Sequence, residues 1–345
     1  MRVVIADPPA YTPWYDHELA EALARSGADV ELATSRFRFA DLPPAKGYRR
    51  VERFYPFSSR LFRRSRARLP LKATEHLGVA ASLARMNPDV LHLQWLALPQ
   101  VDVRVPFRAP TVFTAHDLLP RRTAEKRELW SRLLHRFDRV VVHTERGREA
   151  LVELGIDPVV ISHPVYPSEA VSSDDGQTIL ALGVIRPYKG LADAVEVVQR
   201  LPDARLLVAG DPAMDLGELR DAPRTEWRLG YLTPLELDRA LSAATVAIFP
   251  YKAELDQSGA LLQALGAGVP AVAYDVGGLA EPISHYGAGR VVPAGDVDAL
   301  TEATRELLAD EDALRDARAG AERARAALTW DVAAERHLAL YRELA

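Results

Sequence analysis

At 345 residues the chain is long enough for two domains of ordinary size, each with its own hydrophobic core. Its net charge of −5 excludes binding of nucleic acid through overall charge, and the absence of cysteine excludes disulfides and thiol catalysis. No apolar run approaches the roughly 20 residues of a membrane-spanning helix. The first residues enter a strand directly, so we expect no secretory signal and a cytoplasmic location.

The first part of the chain alternates between short apolar strands and helices. A strand, a helix and a second strand are predicted at 2–6, 17–25 and 29–33, with the loop AYTPWY before the helix. This order favours a parallel sheet. The further strands are predicted at 90–93, 112–115, 140–143 and 159–162, and the further helices at 71–86, 124–135 and 146–154.

A change of composition divides the chain. Residues 166–177 are polar, contain proline, glycine and paired acids, and indicate a linker. A second alternating set follows, with strands at 179–182, 206–209, 246–249, 271–274 and 290–292 and helices at 192–200, 234–243, 297–308, 311–326 and 331–344. We therefore expect an α/β protein of two doubly wound domains facing a central cleft, with ligands beyond the carboxyl ends of the strands.

The stretch 245–281 is the strongest candidate for a ligand site. A buried strand leads through a polar loop to Ser258 and Gly259, and a helix is predicted at 260–267. A helix that begins on small residues presents free backbone N–H groups at its positive end, which favours an anion, most often a phosphate. The alternative is an ordinary strand–helix–strand unit whose helix needed a cap.

A second candidate is the segment GVIRPYKG, residues 183–190, which directly follows a predicted strand. Its two cations, Arg186 and Lys189, lie three positions apart at the strand's carboxyl end. They are suited to neutralise a diphosphate whose other side is held by the helix that begins near Ser258. The alternative is a solvated basic turn.

These segments, with LLVAGD at 206–211 and LGYLTPLEL at 229–237, resemble the retaining family-four glycosyltransferases of GT-B fold. The resemblance covers essentially the whole carboxyl half; PDVLHLQW, TVFTAHD and DRVVVHTE are similar more weakly in the amino half. It implies two doubly wound Rossmann-like domains that face a central cleft. The implied parts are an acceptor-binding domain at 1–165, a linker at 166–177, a nucleotide-sugar-binding domain at 178–326 and a helix at 327–345 that crosses back to the first domain.

The resemblance also implies a reaction, in which a sugar passes from a nucleotide-diphospho-sugar to a glycan, lipid-linked or small-molecule acceptor with its anomeric configuration kept. Neither a metal nor a further cofactor is expected. The implied catalytic residues are His116, which would hydrogen-bond the donor sugar, and Arg186 and Lys189, which would bind the diphosphate. The implied donor-binding residues are Gly183, Gly230, Tyr231, Ser258, Gly259 and Ala260. Glu254, Asp256 and Gln263 are further donor-binding candidates, and the acceptor-binding candidates are Tyr11, Thr12, Trp14 and Tyr15.

The sequence departs from the family pattern at three points. Two glutamates usual in the family are replaced by Leu255 and Gln263, so Glu254 or Asp256 is expected to reach the sugar instead. The cation that often follows the strand-end glycine is replaced by Val184. The usual glycine pair of the first strand–helix loop is replaced by residues 11–15, whose aromatic rings are suited to stack on an acceptor sugar.

Two other functions stay open. A nucleotide-sugar epimerase of the same fold needs acid/base residues, but the sequence shows no clear carboxylate pair, no Ser-His-Asp order and no zinc-ligand spacing. A non-catalytic sugar-binding protein of two domains is the third interpretation. Such proteins are usually exported, and an export signal is not expected here.

Residues 49–68 contain eight arginines and a single acid, Glu52. The hydrophobic residues interleaved with the arginines are Phe54, Tyr55, Phe57, Leu61 and Phe62. This composition is suited to an anionic membrane surface, so a peripheral location on the inner face of the cell membrane is one prediction. The alternatives are a solvated loop and a surface for a soluble anionic acceptor.

Overall fold

A computed structural model describes residues 1–61, 68–118, 127–252 and 255–345 of the chain. The described residues divide into two compact units, one made of 1–162 with 330–345 and the other of 163–329. Each unit is an α/β structure with its own parallel sheet and its own hydrophobic core.

The first unit is built on a parallel sheet. Its strands are β1 (Arg2–Asp7), β2 (Asp29–Ser35), β3 (Arg49–Phe54), β4 (Val90–Leu93), β5 (Thr111–Thr114), β6 (Arg139–Val142) and β7 (Val159–Val160). Its helices up to this point of the chain are α1 (Pro13–Arg25), α2 (Arg68–Arg85), α3 (Pro99–Asp102), α4 (Arg127–Leu134) and α5 (Glu145–Val152). Within the described residues the strand order is β3-β2-β1-β4-β5-β6-β7, and neighbouring strands run parallel.

The second unit repeats this plan. Its strands are β8 (Thr178–Leu182), β9 (Arg205–Gly210), β10 (Thr225–Leu229), β11 (Val246–Phe249), β12 (Ala271–Tyr274) and β13 (Gly289–Val292). Its helices are α6 (Leu191–Arg200), α7 (Pro234–Ala243), α8 (Gly259–Gly266), α9 (Ala280–Tyr286), α10 (Val297–Ala309) and α11 (Glu311–Ala327). The described strands lie in the order β10-β9-β8-β11-β12-β13, again in parallel.

The last helix, α12 (Trp330–Arg342), belongs to the first unit, where it packs against α1. Its inner face carries Trp330, His337 and Tyr341, all buried. Trp330 meets the ring of Tyr15 edge-on, with centroids 5.1 Å apart. The last helix of the chain therefore packs into the same hydrophobic core as the first helix.

The start of α1 corrects the sequence analysis. Residues 13–15 were predicted to belong to a loop, but they form the first turn of α1. Pro13 occupies the first helical position, where the missing N–H is no loss and the fixed φ suits the helix. Trp14 and Tyr15 consequently lie on a helix, and Tyr15 points into the core with 1% of its surface exposed.

The edge strand β3 was not predicted, because RRVERF has no apolar pattern. It pairs in parallel with β2, and Arg49 and Arg53 both form ion pairs with Glu31 on that strand. Because the Glu31 side chain is only 6% exposed, these arginines serve a local structural purpose.

The arginine-rich segment 49–68 is thus only partly exposed to solvent. Phe54 and Tyr55, expected to face a membrane, are each 3% exposed and lie in the core of the first unit. Phe57 remains 60% exposed. Residues 62–67, including Phe62, lie outside the described residues. Among the helices that are described, none combines the length and the apolar character that crossing a bilayer requires.

Candidate active site

In both sheets the strand order reverses at the centre, between β1 and β4 in one unit and between β8 and β11 in the other. At such a point the connecting helices leave on opposite faces, so a crevice opens beyond the carboxyl ends of the two strands. The candidate residues were therefore sought at these ends: Asp7 and Gln94 in the first unit, Gly183 and Pro250 in the second.

In the second unit, three predicted site residues meet just after β8. Gly183 has a φ of +95°, and a Cβ added to it would lie 2.9 Å from Lys189 Nζ and 3.3 Å from Ala260 Cβ. Only glycine suits both this conformation and this space. The strand end, the Lys189 ammonium group and the first turn of α8 are therefore close neighbours.

The Lys189 ammonium group is held from two further sides. Its Nζ lies 3.4 Å from the Leu182 carbonyl oxygen and 5.1 Å from the centroid of the Tyr251 ring. The Tyr251 hydroxyl in turn lies 3.2 Å from Ser258 Oγ. These contacts orient a cation toward the helix start that it faces, at little entropic cost when an anion binds.

The start of α8 has the features of an anion site. Ser258, 6% exposed, caps the helix by accepting a hydrogen bond from Leu261 N at 3.5 Å. The helix is described in full, and its first turn holds no acidic side chain that would compete with a bound anion. The positive end of the helix dipole and its free N–H groups point to the same place.

The loop between β11 and α8 is anchored to the neighbouring segment 183–190. Gly190 has a φ of +66°, and a Cβ on it would lie 1.9 Å from the Pro250 carbonyl oxygen, so the two backbones touch. Lys252 Nζ pairs with Asp193 Oδ1 at 2.7 Å, and the Tyr274 hydroxyl donates to Asp193 Oδ2 at 2.9 Å. The two segments are held in one arrangement before any ligand arrives.

The other predicted residues of the second unit are less closely grouped. Arg186 is exposed, at the start of the short 3-10 helix Pro187–Lys189, and Gly230 lies at the end of β10, where its N donates to Gly210 O at 3.1 Å. Asp256 is fully buried and therefore does not face open space. Gly259, Gln263 and Tyr231 are half-buried, and Glu254 lies outside the described residues.

In the first unit, two buried carboxyl groups meet at the end of β1. Asp7 closes the strand, Asp16 lies near the start of α1, both are 0% exposed, and their side chains are in hydrogen-bond contact. Burial raises the pKa of Asp7 to about 6, and burial together with the neighbouring Asp7 charge raises the pKa of Asp16 well above its usual range. Two such groups hold a proton between them near neutral pH.

The sequence analysis missed this pair. Its only signals were an aspartate at the end of the first strand and another nine positions later. Thr12 links the two acids, because its N donates to Asp7 Oδ2 at 3.1 Å and its hydroxyl lies 3.5 Å from Asp16 Oδ1. Trp95 Nε1 donates to the same hydroxyl at 2.9 Å.

The predicted acceptor-binding residues differ in how far their side chains are exposed to solvent. Tyr11 is 48% exposed, meets Trp95 edge-on at 5.5 Å and has the Lys72 ammonium group 5.6 Å from its ring centroid, so its ring is partly open to a ligand. Thr12 and Trp14 are half-buried. Tyr15 is enclosed between His116 and Trp330 and offers no open face for stacking on a sugar.

His116 lies at the end of β5, half-buried, with its ring stacked on Trp95 at a centroid distance of 5.4 Å. Its Nε2 lies 2.8 Å from Gln94 Oε1, and its Nδ1 lies 3.4 Å from His143 Nε2. Both ring nitrogens are therefore engaged inside the first unit. A sugar hydroxyl would have to replace one of these contacts.

Solved structures share this fold at low sequence identity. A sucrose-phosphate synthase from Thermosynechococcus elongatus aligns over 100% of the chain and 99% of its own, with a TM-score of 0.76 and 20% identity. The Anabaena protein HepE, solved with UDP and glucose, aligns over 100% of both chains with a TM-score of 0.71 and 16% identity. The fold is GT-B.

Two family models match the two parts of the chain. The model described as Glycosyltransferase Family 4 matches residues 15–169, and the model described as Glycosyl transferases group 1 matches residues 176–310. The chain belongs to the family-four glycosyltransferases. The expected family and fold class are thereby confirmed.

Curated relatives of the chain are distant. A D-inositol 3-phosphate glycosyltransferase of Mycobacterium marinum is 28% identical in an alignment of 314 residues that covers 77% of the chain and 66% of that enzyme. An exopolysaccharide phosphotransferase of Streptomyces coelicolor is 33% identical in an alignment of 195 residues that covers 52% of the chain and 20% of that protein. The chain thus spans between a fifth and two thirds of the length of these relatives.

The structure gives a reason for one departure of this glycosyltransferase from its family. Leu255, in the place of a usual glutamate, is 7% exposed and belongs to the core of the second unit. Its carbonyl oxygen accepts from Gly278 N at 2.9 Å, and a Cβ on Gly277 would lie 2.1 Å from that oxygen. The backbone of residue 255 fastens the loop to the segment after β12, and the buried position suits a leucine side chain rather than a glutamate. Across the described residues we find no group of three His, Asp or Glu side chains arranged to hold a metal ion.

Proposed function

We propose that the chain transfers a sugar from a nucleoside-diphospho-sugar to an acceptor hydroxyl with retention of anomeric configuration. The observation that carries the proposal is the meeting of Gly183, Lys189 and Ala260 at the start of α8. A glycine-lined strand end, a cation and a helix start together suit a diphosphate. HepE, which shares the fold, was solved with UDP and glucose.

In the proposed reaction, negative charge accumulates on the leaving diphosphate as the bond to the sugar breaks. Lys189, the exposed Arg186 and the N–H groups of α8 are preorganised to stabilise that charge. An oxygen of the departing phosphate takes the proton of the acceptor hydroxyl on the same face of the sugar. The configuration is then kept without a protein nucleophile, a metal or a further cofactor. His116 would contact the donor sugar.

The acceptor is proposed to bind at the first unit, near Tyr11 and Trp95. Their edge-to-face pair presents an apolar ring surface of the kind that stacks on sugars. A glycan, a lipid-linked sugar and a small molecule all remain within this proposal. The relative from Mycobacterium marinum is named for D-inositol 3-phosphate, which makes a phosphorylated polyol the first acceptor to test. No observation favours the epimerase.

The test is incubation with UDP-, GDP- and ADP-sugars in the presence and absence of candidate acceptors. Acceptor-dependent release of nucleoside diphosphate, with a product whose anomeric NMR coupling matches the donor, is expected. Epimerisation without release of diphosphate would overturn the proposal, and an inverted product would overturn retention alone. Thermal shift with UDP, GDP and ADP identifies the base, because a ligand at 100 times its Kd adds about 2.7 kcal/mol to stability.

A further inference from the structure

A continuous series of hydrogen bonds runs through the first unit from α12 to His116. The Tyr341 hydroxyl lies 2.6 Å from His92 Nδ1, and His92 Nε2 lies 2.7 Å from Thr114 Oγ1 and 3.4 Å from the Gln94 amide. The other end of that amide lies 2.8 Å from His116 Nε2. Tyr341, His92, Gln94 and Thr114 are all 0% exposed, so water does not interrupt the series.

At His143, which lies next to His116, the direction of hydrogen-bond donation is fixed. His143 Nδ1 lies 2.9 Å from the Ile161 carbonyl oxygen, which can only accept, so Nδ1 carries a proton. Burial lowers the pKa of His143 to about 4, so the ring is neutral and its Nε2 is an acceptor. His116 Nδ1, 3.4 Å from that nitrogen, must therefore donate.

At Tyr341, the other end of the series, the direction of hydrogen-bond donation is fixed as well. Burial raises the pKa of Tyr341 well above its usual range, so the phenol keeps its proton, and the described contacts offer it His92 Nδ1 as acceptor. Burial lowers the pKa of His92 well below its usual range, so a His92 ring that accepts at Nδ1 donates at Nε2. Thr114 Oγ1 then accepts from His92 Nε2 at 2.7 Å. The Gln94 amide end 3.4 Å from His92 Nε2 is favoured as the oxygen, because an amide N–H there would face a second donor.

The two directions meet at Gln94. With its oxygen toward His92 and its nitrogen toward His116, the amide accepts from His92 Nε2 and donates to His116 Nε2, and every ring is neutral. With the amide turned by 180°, which is the orientation in the structure, Oε1 faces His116 Nε2 and the amide nitrogen faces His92, so His116 Nε2 must also carry a proton. Oxygen and nitrogen of an amide side chain are assigned from such networks, and both orientations have the same shape.

We infer that Gln94 is the positioning residue of His116, because its amide orientation determines which ring nitrogens of His116 carry a proton. Neutral His116 is held as the Nδ1–H tautomer with Nε2 as an acceptor, and turning the amide stabilises the imidazolium. The turn leaves Thr114 Oγ1 as the acceptor for His92 Nε2, so its effect is concentrated on His116. The role of His116 toward a sugar rests on the proposed function; the tautomer does not.

Other titratable side chains also pack around this pair. His143 faces His116 from the end of β6, and Tyr15 faces it edge-on from α1 at 4.8 Å. His337 of α12 packs on His92 at 5.3 Å, and burial lowers its pKa to about 4. These histidines stay neutral at the pH of the test, so they do not obscure a change at His116.

The test uses the full chain, labelled with 15N at histidine, in long-range 1H–15N NMR between pH 5 and 9 without substrate. His116 signals are assigned by their loss in His116→Gln. The wild type is expected to show the Nδ1–H tautomer at pH 7.5. Gln94→Glu is expected to raise the pKa of His116 by about 1–3 units, as a carboxylate within hydrogen-bond reach does. Gln100→Glu, on the exposed side of α3, is the matched control and should leave His116 unchanged.

Two variants keep the test valid if Gln94→Glu does not fold. Gln94→Met and Gln94→Leu keep the volume but not the amide, and the Nδ1–H preference of His116 should become a mixture of tautomers. An Nε2–H tautomer in the wild type, or unchanged tautomer and pKa in all Gln94 variants, would overturn the inference. Because no substrate is present, this outcome is independent of sugar transfer, and a chain that transfers nothing can still show the expected tautomer.

Discussion

The carboxyl groups of Asp7 and Asp16 are in hydrogen-bond contact in the interior of the first unit, where neither residue is exposed. β1 ends at Asp7 and α1 begins at Pro13, so the intervening turn folds the second acid back onto the first. Among the described residues, no N–H or O–H group of another residue donates to Asp7 Oδ1 or Asp16 Oδ2. A shared proton is the simplest way to satisfy both oxygens.

This pair makes stability depend on pH. Both carboxyls have a higher pKa folded than unfolded, so above pH 4 the folded chain retains protons that the unfolded chain releases. The free energy of unfolding then falls by about 1.4 kcal/mol per pH unit for each retained proton. For Asp7 the fall runs from about pH 4 to about 6, and for Asp16 it continues higher. Asp16→Asn removes one retained proton, so its stability relative to the wild type should rise by about that slope between pH 5 and 7.

The comparison with the wild type is essential here. His143 and His337 have a pKa lowered to about 4, so they contribute the opposite slope below about pH 6.5, and that contribution cancels in the difference. Urea unfolding at several pH values measures the difference in stability between Asp16→Asn and the wild type. Asp29→Asn, which removes an exposed carboxyl at the start of β2, is the control for loss of a carboxyl group. A pH-independent difference for Asp16→Asn would show that the pair holds no extra proton.

The second prediction concerns the cation beside Gly183. Lys189→Met keeps most of the side-chain volume over the Tyr251 ring but removes the charge. If the proposed function is right, transfer should lose roughly 2–4 kcal/mol of transition-state stabilisation, as when one preorganised donor is deleted. Arg186→Ala is expected to lose a similar amount, whereas Arg315→Ala on α11 is the control for loss of a surface charge. Melting temperatures should change little, and near-normal kcat/KM in both site variants would remove the diphosphate role.

How far the sequence predicts the fold depends on burial. β4, β11, β12 and α7 have the predicted bounds, because central strands are buried on both faces and α7 begins with a proline after a capping threonine. The edge strands β3 and β10 were missed, because they are partly exposed and need no apolar pattern. α9 was missed because Pro282 interrupts a short helical segment.

The site was less predictable than the fold, and for a physical reason. Glycine, cation and helix start follow one another at strand ends, so the group around Gly183 could be expected from the order of motifs alone. The Asp7–Asp16 contact depends instead on where α1 begins. The sequence predicts a loop at 11–15 in place of the first turn of that helix, so the contact could not be expected. The engagement of His116 by Gln94 arises between neighbouring strands, which a linear sequence does not place side by side.

The third prediction concerns His116. His116→Ala should impair transfer while leaving the Kd of the bare nucleoside diphosphate unchanged, because the proposed role is contact with the sugar. The comparison is made by calorimetry with the diphosphate and by kinetics with the donor sugar. His135→Ala, an exposed histidine of the same unit, is the control. An equal loss of affinity for the bare diphosphate would assign His116 to another role.

The fourth prediction concerns a buried series of three side chains. The Tyr55 hydroxyl lies 2.6 Å from His76 Nδ1, and His76 Nε2 lies 2.8 Å from Asp102 Oδ1. Tyr55 also has a φ of +48°, a strained conformation for a tyrosine that this contact helps to hold. His76→Ala removes the partner of the Tyr55 hydroxyl and of Asp102 Oδ1, while Asp102 Oδ2 keeps its bond from Leu98 N. Unfolding in urea should therefore show a loss of about 3–5 kcal/mol. A loss below 1 kcal/mol would mean that water or another side chain replaces the ring.

The last prediction concerns the arginine-rich segment 49–68. Fewer of its residues are candidates for contact with a membrane than the sequence alone indicated. Arg49 and Arg53 are paired with Glu31, and Arg50 is half-buried, which leaves Phe57 and Arg60 as the exposed candidates among the described side chains for contact with a membrane. The Arg60 guanidinium carbon lies 5.9 Å from the centroid of the exposed Phe57 ring, so an apolar and a cationic group are adjacent. The sequence adds Arg63, Arg64 and Arg66, outside the described residues.

If this surface attaches to membranes, the chain should co-sediment with anionic vesicles at low salt, and neither with neutral vesicles nor at high salt. Each arginine near an anionic bilayer contributes about 1 kcal/mol, so replacing Arg60, Arg63, Arg64 and Arg66 by serine should weaken binding roughly a thousandfold. The control replaces four exposed arginines of α10, α11 and α12, namely Arg305, Arg315, Arg325 and Arg336, and should weaken binding far less. An equal loss in both variants would indicate attraction by overall charge, and absence of binding to anionic vesicles at low salt would leave the segment without a membrane role.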